Sequence, residues 1–187
     1  LYRRSFLDDN DIRFATPQRE ERAFLTRALV RAKVISLSTV PGPAYRVRQG
    51  STARRRKTVR DFDQMLTNFT RSAEALIEAG ACLRSDPLRQ HLAYTLTQFL
   101  HHMFVGPAWR HLRDTPDRAG FLNAAHALLT RCDVRPQDVV TDAPNLPETL
   151  VEAGVYPLIA AAVRAGRADL VDLAIDAAPV PQDVVYA

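Results

Sequence analysis

The sequence predicts a mostly α chain of stacked antiparallel helix pairs, led by a small basic region with one helix and a β-hairpin. Three observations predict it. From Val59 onward the apolar residues recur at helical spacing. The joints between these stripes carry Pro or Gly, which stop helices. The pentapeptide "PQDVV" occurs at Pro136–Val140 and again at Pro181–Val185, 45 residues apart. Each copy follows the end of a predicted helix by a few residues, and such matching placement argues for a structural repeat. Each offers Pro at a first helical position and Asp within the first turn, where a negative charge suits the helix dipole.

Taken in order, residues 1–15 are polar and show no clear period. Thr16 reads as an N-cap with Pro17 at the first helical position. Phe24, Leu25, Ala28, Leu29 and Ala32 then follow at helical spacing, and the helix should end near Lys33. Val34–Arg48 is rich in β-branched residues and broken by Pro41-Gly42-Pro43, the pattern of two short strands around a turn. Gln49–Lys57 is polar and basic, an exposed loop or mobile linker. The division is therefore 1–58, a basic N-terminal region, and 59–187, a helical repeat domain.

In the second part, Phe62, Met65, Leu66, Phe69, Ala73, Leu76 and Ile77 form one continuous stripe, and Gly80 is the natural stop. Asp86-Pro87 starts a helix whose stripe is Leu88, Leu92, Leu96, Phe99, Leu100 and Met103, and Gly106-Pro107 ends it. A short piece carries Trp109 and Leu112. Thr115-Pro116 caps a further helix bearing Phe121, Leu122, Ala125, Leu128 and Leu129. Tyr156–Ala178 reads as two helices broken at Gly166, with Leu170, Val171 and Ile175 facing the preceding pair.

Composition sets bounds on what this chain can be. At 187 residues and 47% hydrophobic content it is long enough for a real core, in one large domain or two small ones. No apolar run reaches the roughly 18 residues of a membrane span. Leu1 in place of an initial Met is what a fragment or processed form would show. Two cysteines, Cys82 and Cys132, fit a reduced intracellular compartment better than a disulfide scaffold. Net charge is +4, unevenly spread: residues 1–60 carry net +10, residues 61–131 none, and residues 132–187 net −6. Such asymmetry suggests different partners for the two ends, or ends that face each other. The basic residues are 23 Arg and 2 Lys. A GC-rich genome accounts for that bias more simply than selection for bidentate anion recognition.

The candidate chemistry is sparse. His91, His101, His102, His111 and His126 complete no CxxC or HExxH pattern, so neither a metal nor another cofactor is expected. Cys132 and His126 lie almost two turns apart on one helix, but no orienting group or oxyanion element accompanies them, so the thiol reads as buried and apolar. Glu148 and Glu152 share a face, as solvated helix residues do. There is no Gly-rich phosphate loop.

The basic segment stands out. Arg46, Arg48, Arg54, Arg55, Arg56, Lys57 and Arg60 put seven cations into fifteen residues. A solvated surface run is the simplest reading. An acidic protein or a nucleic-acid backbone would also attract it, and protein is favoured because only Tyr45 lies near as a base-stacking ring. The helix and hairpin before it also match part of a winged-helix domain, which would suit DNA.

Tyr156–Ala178 resembles an ankyrin repeat: "YPLI" stands at the opening of the inner helix, "RAGRADLV" at the break and "DLVDLAIDAA" as the outer helix. "SAEALIEAGACL" (Ser72–Leu83) and "NAAHALLTRCDV" (Asn123–Val134) look like two more outer-helix ends. Ile159 stands where the family has a His that ties adjacent turns together, and Ala177-Ala178-Pro179 replaces the usual Gly-containing exit. The spacing of 45 exceeds the family's ~33 residues, and Thr141–Gly154 supplies the excess. A HEAT-like array, with a period of ~40–47, is the rival. The resemblance implies degenerate repeats over about residues 62–187, with the acidic end as a cap. It also implies non-catalytic recognition of another protein through the repeat face and the basic segment. "GRADLVDLAIDAAPVPQDV" is similar to the terminal repeats of the OspC family of secreted bacterial effectors, which carry an ADP-ribosyl-transferring domain before ankyrin-like repeats. That similarity would make this piece the target-binding half, acting in a host cytosol. It supplies no catalytic residue.

Overall fold

The computed structural model describes residues 2–14, 20–36, 39, 58–81, 87–139 and 146–178, and its regular elements are all helical. The chain opens with a short helix, α1 (Arg4–Asp9), where the sequence shows no period. Six residues are too few to display one. Its end is fixed by Asp11 at φ 48°, with Ile12 N–H reaching back to Leu7 O at 2.9 Å. That left-handed stop turns Ile12 inward, where it joins Phe24 and Ala28 in a small apolar cluster flanked by Phe6 and Leu7.

The second helix, α2 (Glu20–Arg31), matches the predicted one, but its buried face is different. Ala23, Phe24, Thr26 and Ala28 are buried, whereas Leu25 and Leu29 are exposed. The expected stripe mixed two faces, because Phe24–Leu25 and Ala28–Leu29 are adjacent pairs whose members lie about 100° apart on a helix. Arg22 sits over the Phe69 ring at 4.5 Å, and Arg31 reaches Glu78 at 3.5 Å, so α2 lies along the next helix. Val34 and Ile35, placed in a strand by their β-branching, are exposed and irregular. The remainder of the expected hairpin and the Gln49–Lys57 loop lie outside the described residues, apart from Ser36 and Thr39.

The third helix, α3 (Val59–Glu78), starts on a capping box the sequence reading missed. The Thr58 hydroxyl accepts from Asp61 N–H at 3.3 Å, and Thr58 N–H donates to the Asp61 carboxylate at 2.8 Å. Its stripe is as expected: Phe62, Met65, Phe69, Ala73 and Leu76 are buried, with Leu66 and Ile77 at the margin. Gly80 at φ 102° ends it, and Ala81 N–H bonds Leu76 O at 3.0 Å.

Helix α4 (Pro87–Leu100) buries Leu92, Leu96, Phe99 and Leu100 and then changes winding. His101–Val105 is one π-turn, closed by Gly106 N–H on His101 O at 2.8 Å. Gly106 is required there, because a Cβ would come within 2.6 Å of His102 O. Pro107 opens α5 (Pro107–Leu112), which buries Trp109 and Leu112. Thr115 does not cap the following helix α6 (Asp117–Arg131): Pro116 occupies the cap position, and the Thr115 hydroxyl instead donates to Leu112 O at 3.1 Å. The expected stripe of α6, Phe121, Leu122, Ala125, Leu128 and Leu129, is buried.

The first "PQDVV" copy begins a single 3₁₀ turn, Pro136–Asp138, with Pro at its start and Asp138 bonded back to Arg135 N–H at 3.0 Å. The turn does not grow into a helix, and Val139 is buried at its end. The second copy lies outside the described residues. Part of the presumed Thr141–Gly154 insertion is a short helix, α7 (Glu148–Glu152).

Helices α8 (Val155–Arg164) and α9 (Ala168–Asp176) form a hairpin broken at Gly166, φ 65°. The hairpin packs through α8 onto α6 and α4, and the buried side chains of α3 to α9 form one continuous core. Val171 and Ile175 belong to it, but Leu170 does not: it is 39% exposed and Leu173 is 63% exposed. Helix-on-helix pairing accounts for the architecture of this region, since each amphipathic helix buries its stripe on a neighbour. Among the described residues no helix is long and apolar enough to cross a membrane.

Candidate functional site

Of the seven predicted contact residues, the structure places Arg60. It is exposed in the first turn of α3, beside the capping box, where the helix dipole gives a cation no support. Arg46, Arg48, Arg54, Arg55, Arg56 and Lys57 lie outside the described residues.

What the sequence reading missed is how many arginines act inside the fold. Arg89 of α4 is nearly buried and donates to Cys132 O at 2.8 Å and Asp133 O at 2.7 Å. It thereby satisfies carbonyls at the end of α6, where a cation also suits the dipole. Its guanidinium lies 3.5 Å from Asp138, which is also held by Arg135 at 3.1 Å. Hydrogen bonds from Arg135, and secondarily the nearby Arg89 charge, hold the Asp138 carboxyl below the usual carboxylate range. Arg164 of α8 donates to Val134 O. These contacts lock the loop after α6 between α4 and α8.

A second arginine cluster ties α9 to α5 and α6. Buried Trp109 donates its indole N–H to Asp172 at 2.8 Å. Arg118 pairs with the same carboxylate and stacks over the Trp109 ring at 4.5 Å. Arg113 adds contacts to Asp172 at 3.9 Å and to Asp176 at 3.0 Å. Farther along, Arg167 clamps Asp169 through two bonds of 2.8 and 2.5 Å, and this holds the Asp169 carboxyl down to about 2. The partners are up to 63 residues apart, so no sequence pattern joins them.

The histidines are dispersed. His101 is buried, its Nδ1 2.9 Å from the Tyr156 hydroxyl. His126 Nδ1 lies 3.2 Å from Val163 O, so that nitrogen carries the proton. His91 and His111 are exposed. Cys132 is buried at the end of α6. Glu148 and Glu152 are both exposed. Among the described residues, no three His, Cys, Asp or Glu side chains converge as metal ligands.

A groove of about 470 Å³ opens between the segment after α1, α2 and α3. Arg13, Arg27 and Arg71 line it with Asp11, Glu74 and Glu78. Glu74 is paired with Arg131 at 2.5 Å and Glu78 with Arg31, so much of its negative charge is already compensated. A smaller depression of about 260 Å³ is lined by Phe62, Leu112 and Phe121 among others. Neither holds the convergent nucleophile, base and oxyanion donors that acyl or phosphoryl transfer needs. Comparison with protein-family models, with curated proteins and with solved structures finds no match to the chain.

Proposed function

We propose that the chain is a recognition module that binds another protein, using its helical surface and the basic segment Arg46–Arg60 against an acidic partner. The charge distribution carries this reading. A segment with seven cations in fifteen residues needs compensating anions, from within the chain or from outside it. The acidic C-terminal region is the internal candidate, but four of its carboxylates are already committed. Asp138, Asp169, Asp172 and Asp176 pair with Arg135, Arg167, Arg118 and Arg113. Those pairs reduce the free negative charge of the region without exhausting it, since Asp133, Glu148 and Glu152 are exposed, and an internal contact is the competing reading. Exposed Leu25 and Leu29 on α2, and Leu158, Leu170 and Leu173 on the last hairpin, add apolar surface of the kind a protein partner covers.

Affinity capture with the intact chain, repeated with Arg54, Arg55, Arg56 and Lys57 changed to Ala, tests the reading. A protein recovered by the wild type, and lost both in the variant and at high salt, is the expected result. Screening shortens the reach of such a contact to ~8 Å near physiological ionic strength. Recovery of nucleic acid in place of protein would refute it. So would a variant that binds the same protein equally well.

A further inference from the structure

We propose that the buried His101–Tyr156 pair is an acid-sensitive latch, and that the α8–α9 hairpin loosens from the core on mild acidification. The pair joins residues 55 apart in the chain. His101 opens the π-turn and is 4% exposed; Tyr156 lies in the first turn of α8 and is fully buried. Their contact is thus part of the seam between the hairpin and the body of the molecule.

Among the described residues the seam is also tied by Arg164 to Val134 O, His126 to Val163 O, Trp109, Arg118 and Arg113 to Asp172, and Arg113 to Asp176. Histidine is the side chain whose ordinary titration falls between pH 5 and 8. His126 keeps its bond when it gains a proton, because the nitrogen facing the carbonyl already carries one and the new proton goes to Nε2. His101 is different. A neutral ring can accept the Tyr156 hydroxyl proton or donate to its oxygen, whereas an imidazolium can only donate and adds a buried positive charge.

Among the described residues, the His101 ring meets the Tyr156 hydroxyl and, with ring centroids 5.3 Å apart, His102. Helices α4, α5 and α9 also pack on the π-turn. Of the charged or titratable groups these helices carry, Arg110 and His111 of α5 are exposed, as is His91 of α4, which stacks with half-buried Tyr94; Asp169 and Asp176 of α9 are exposed and pair with Arg167 and Arg113. Arg89 is spent on Cys132 O and Asp133 O, and Asp172 of α9 is spent on Trp109 and Arg118. Burial holds the His101 ring below its ordinary value. The folded chain therefore binds fewer protons at this ring than the unfolded chain, so stability rises with pH. The stabilisation is lost as pH falls from the ordinary histidine value toward the folded-state value, and it levels off below that.

Hydrogen exchange on the intact chain at pH 7.5 and 5.0, corrected for intrinsic chemical exchange, reads the effect. Each unit of pKa depression favours opening about tenfold at acid pH. Peptides spanning α8 and α9 are therefore expected to lose protection between pH 7.5 and 5.0, while those spanning α3 hold theirs. His101→Gln keeps a neutral hydrogen-bonding side chain and should abolish the difference. Loosening that persists in His101→Gln, or that affects α3 equally, would overturn the proposal. A proton NMR titration of the wild-type ring needs no variant: a value at or above that of the same histidine in the urea-unfolded chain also overturns it.

Discussion

Replacing Asp172 by Ala should be among the most damaging single changes outside the apolar core. The carboxylate accepts the Trp109 indole N–H at 2.8 Å and pairs with Arg118. A hydrogen bond to a charged acceptor is worth about 1.5–3 kcal/mol, and Trp109, 1% exposed, has no water to turn to once the acceptor is gone. Arg118 would keep its stacking on the Trp109 ring, a contact of about 0.5–2 kcal/mol, but would lose its carboxylate. Its Nε is already buried without a hydrogen-bond acceptor, so the site has little polar capacity in reserve. With Arg118 and Asp172 each about one-fifth exposed, screening trims the ionic part, and the expected loss is about 2–4 kcal/mol. For a chain of 187 residues that corresponds to about 5–15 °C in melting temperature. Urea unfolding of Asp172→Ala, Trp109→Phe and the double variant isolates the shared bond, with an expected coupling of about 1.5–3 kcal/mol. A coupling below ~0.5 kcal/mol would mean that the indole and carboxylate act independently, and the clamp would have no energetic content.

Two further predictions concern packing. Ile175→Ala should cost about 2–5 kcal/mol in urea unfolding because Ile175 lies in the core, whereas Leu173→Ala on the outer face of the same helix should stay within ~0.5 kcal/mol; equal losses would contradict the burial pattern. Gly106→Ala drives a Cβ against the His102 carbonyl, so the backbone must shift, at about 1–3 kcal/mol; a loss under ~0.5 kcal/mol would show that the π-turn yields freely.

What could be read in the sequence, and what could not, follows from the range of the forces involved. The stripe of α3 and the breaks at Gly80 and Gly166 were legible, because helical period and left-handed glycines are local properties. Adjacent apolar pairs defeat the same logic. At Phe24–Leu25, Ala28–Leu29 and Leu170–Val171 both members fit a helix, and only the neighbouring helix decides which one is buried. Val34 and Ile35 show the limit of β-branching as a signal, since a strand also needs a partner strand. The π-turn was hidden because His101–Val105 continues the apolar pattern of α4, while its closure depends on a missing Cβ at Gly106. The arginines are the deepest case. Composition presents them as surface charge, and the basic run at Arg54–Lys57 draws attention by density alone. Yet Arg89, Arg118 and Arg164 each bind a carbonyl or carboxylate brought near only by folding, across 30 to 54 residues of chain. A fixed five-donor fork is worth most where backbone carbonyls at a helix end or a partly buried carboxylate wait for it. In this molecule a share of the arginine excess is therefore a folding device.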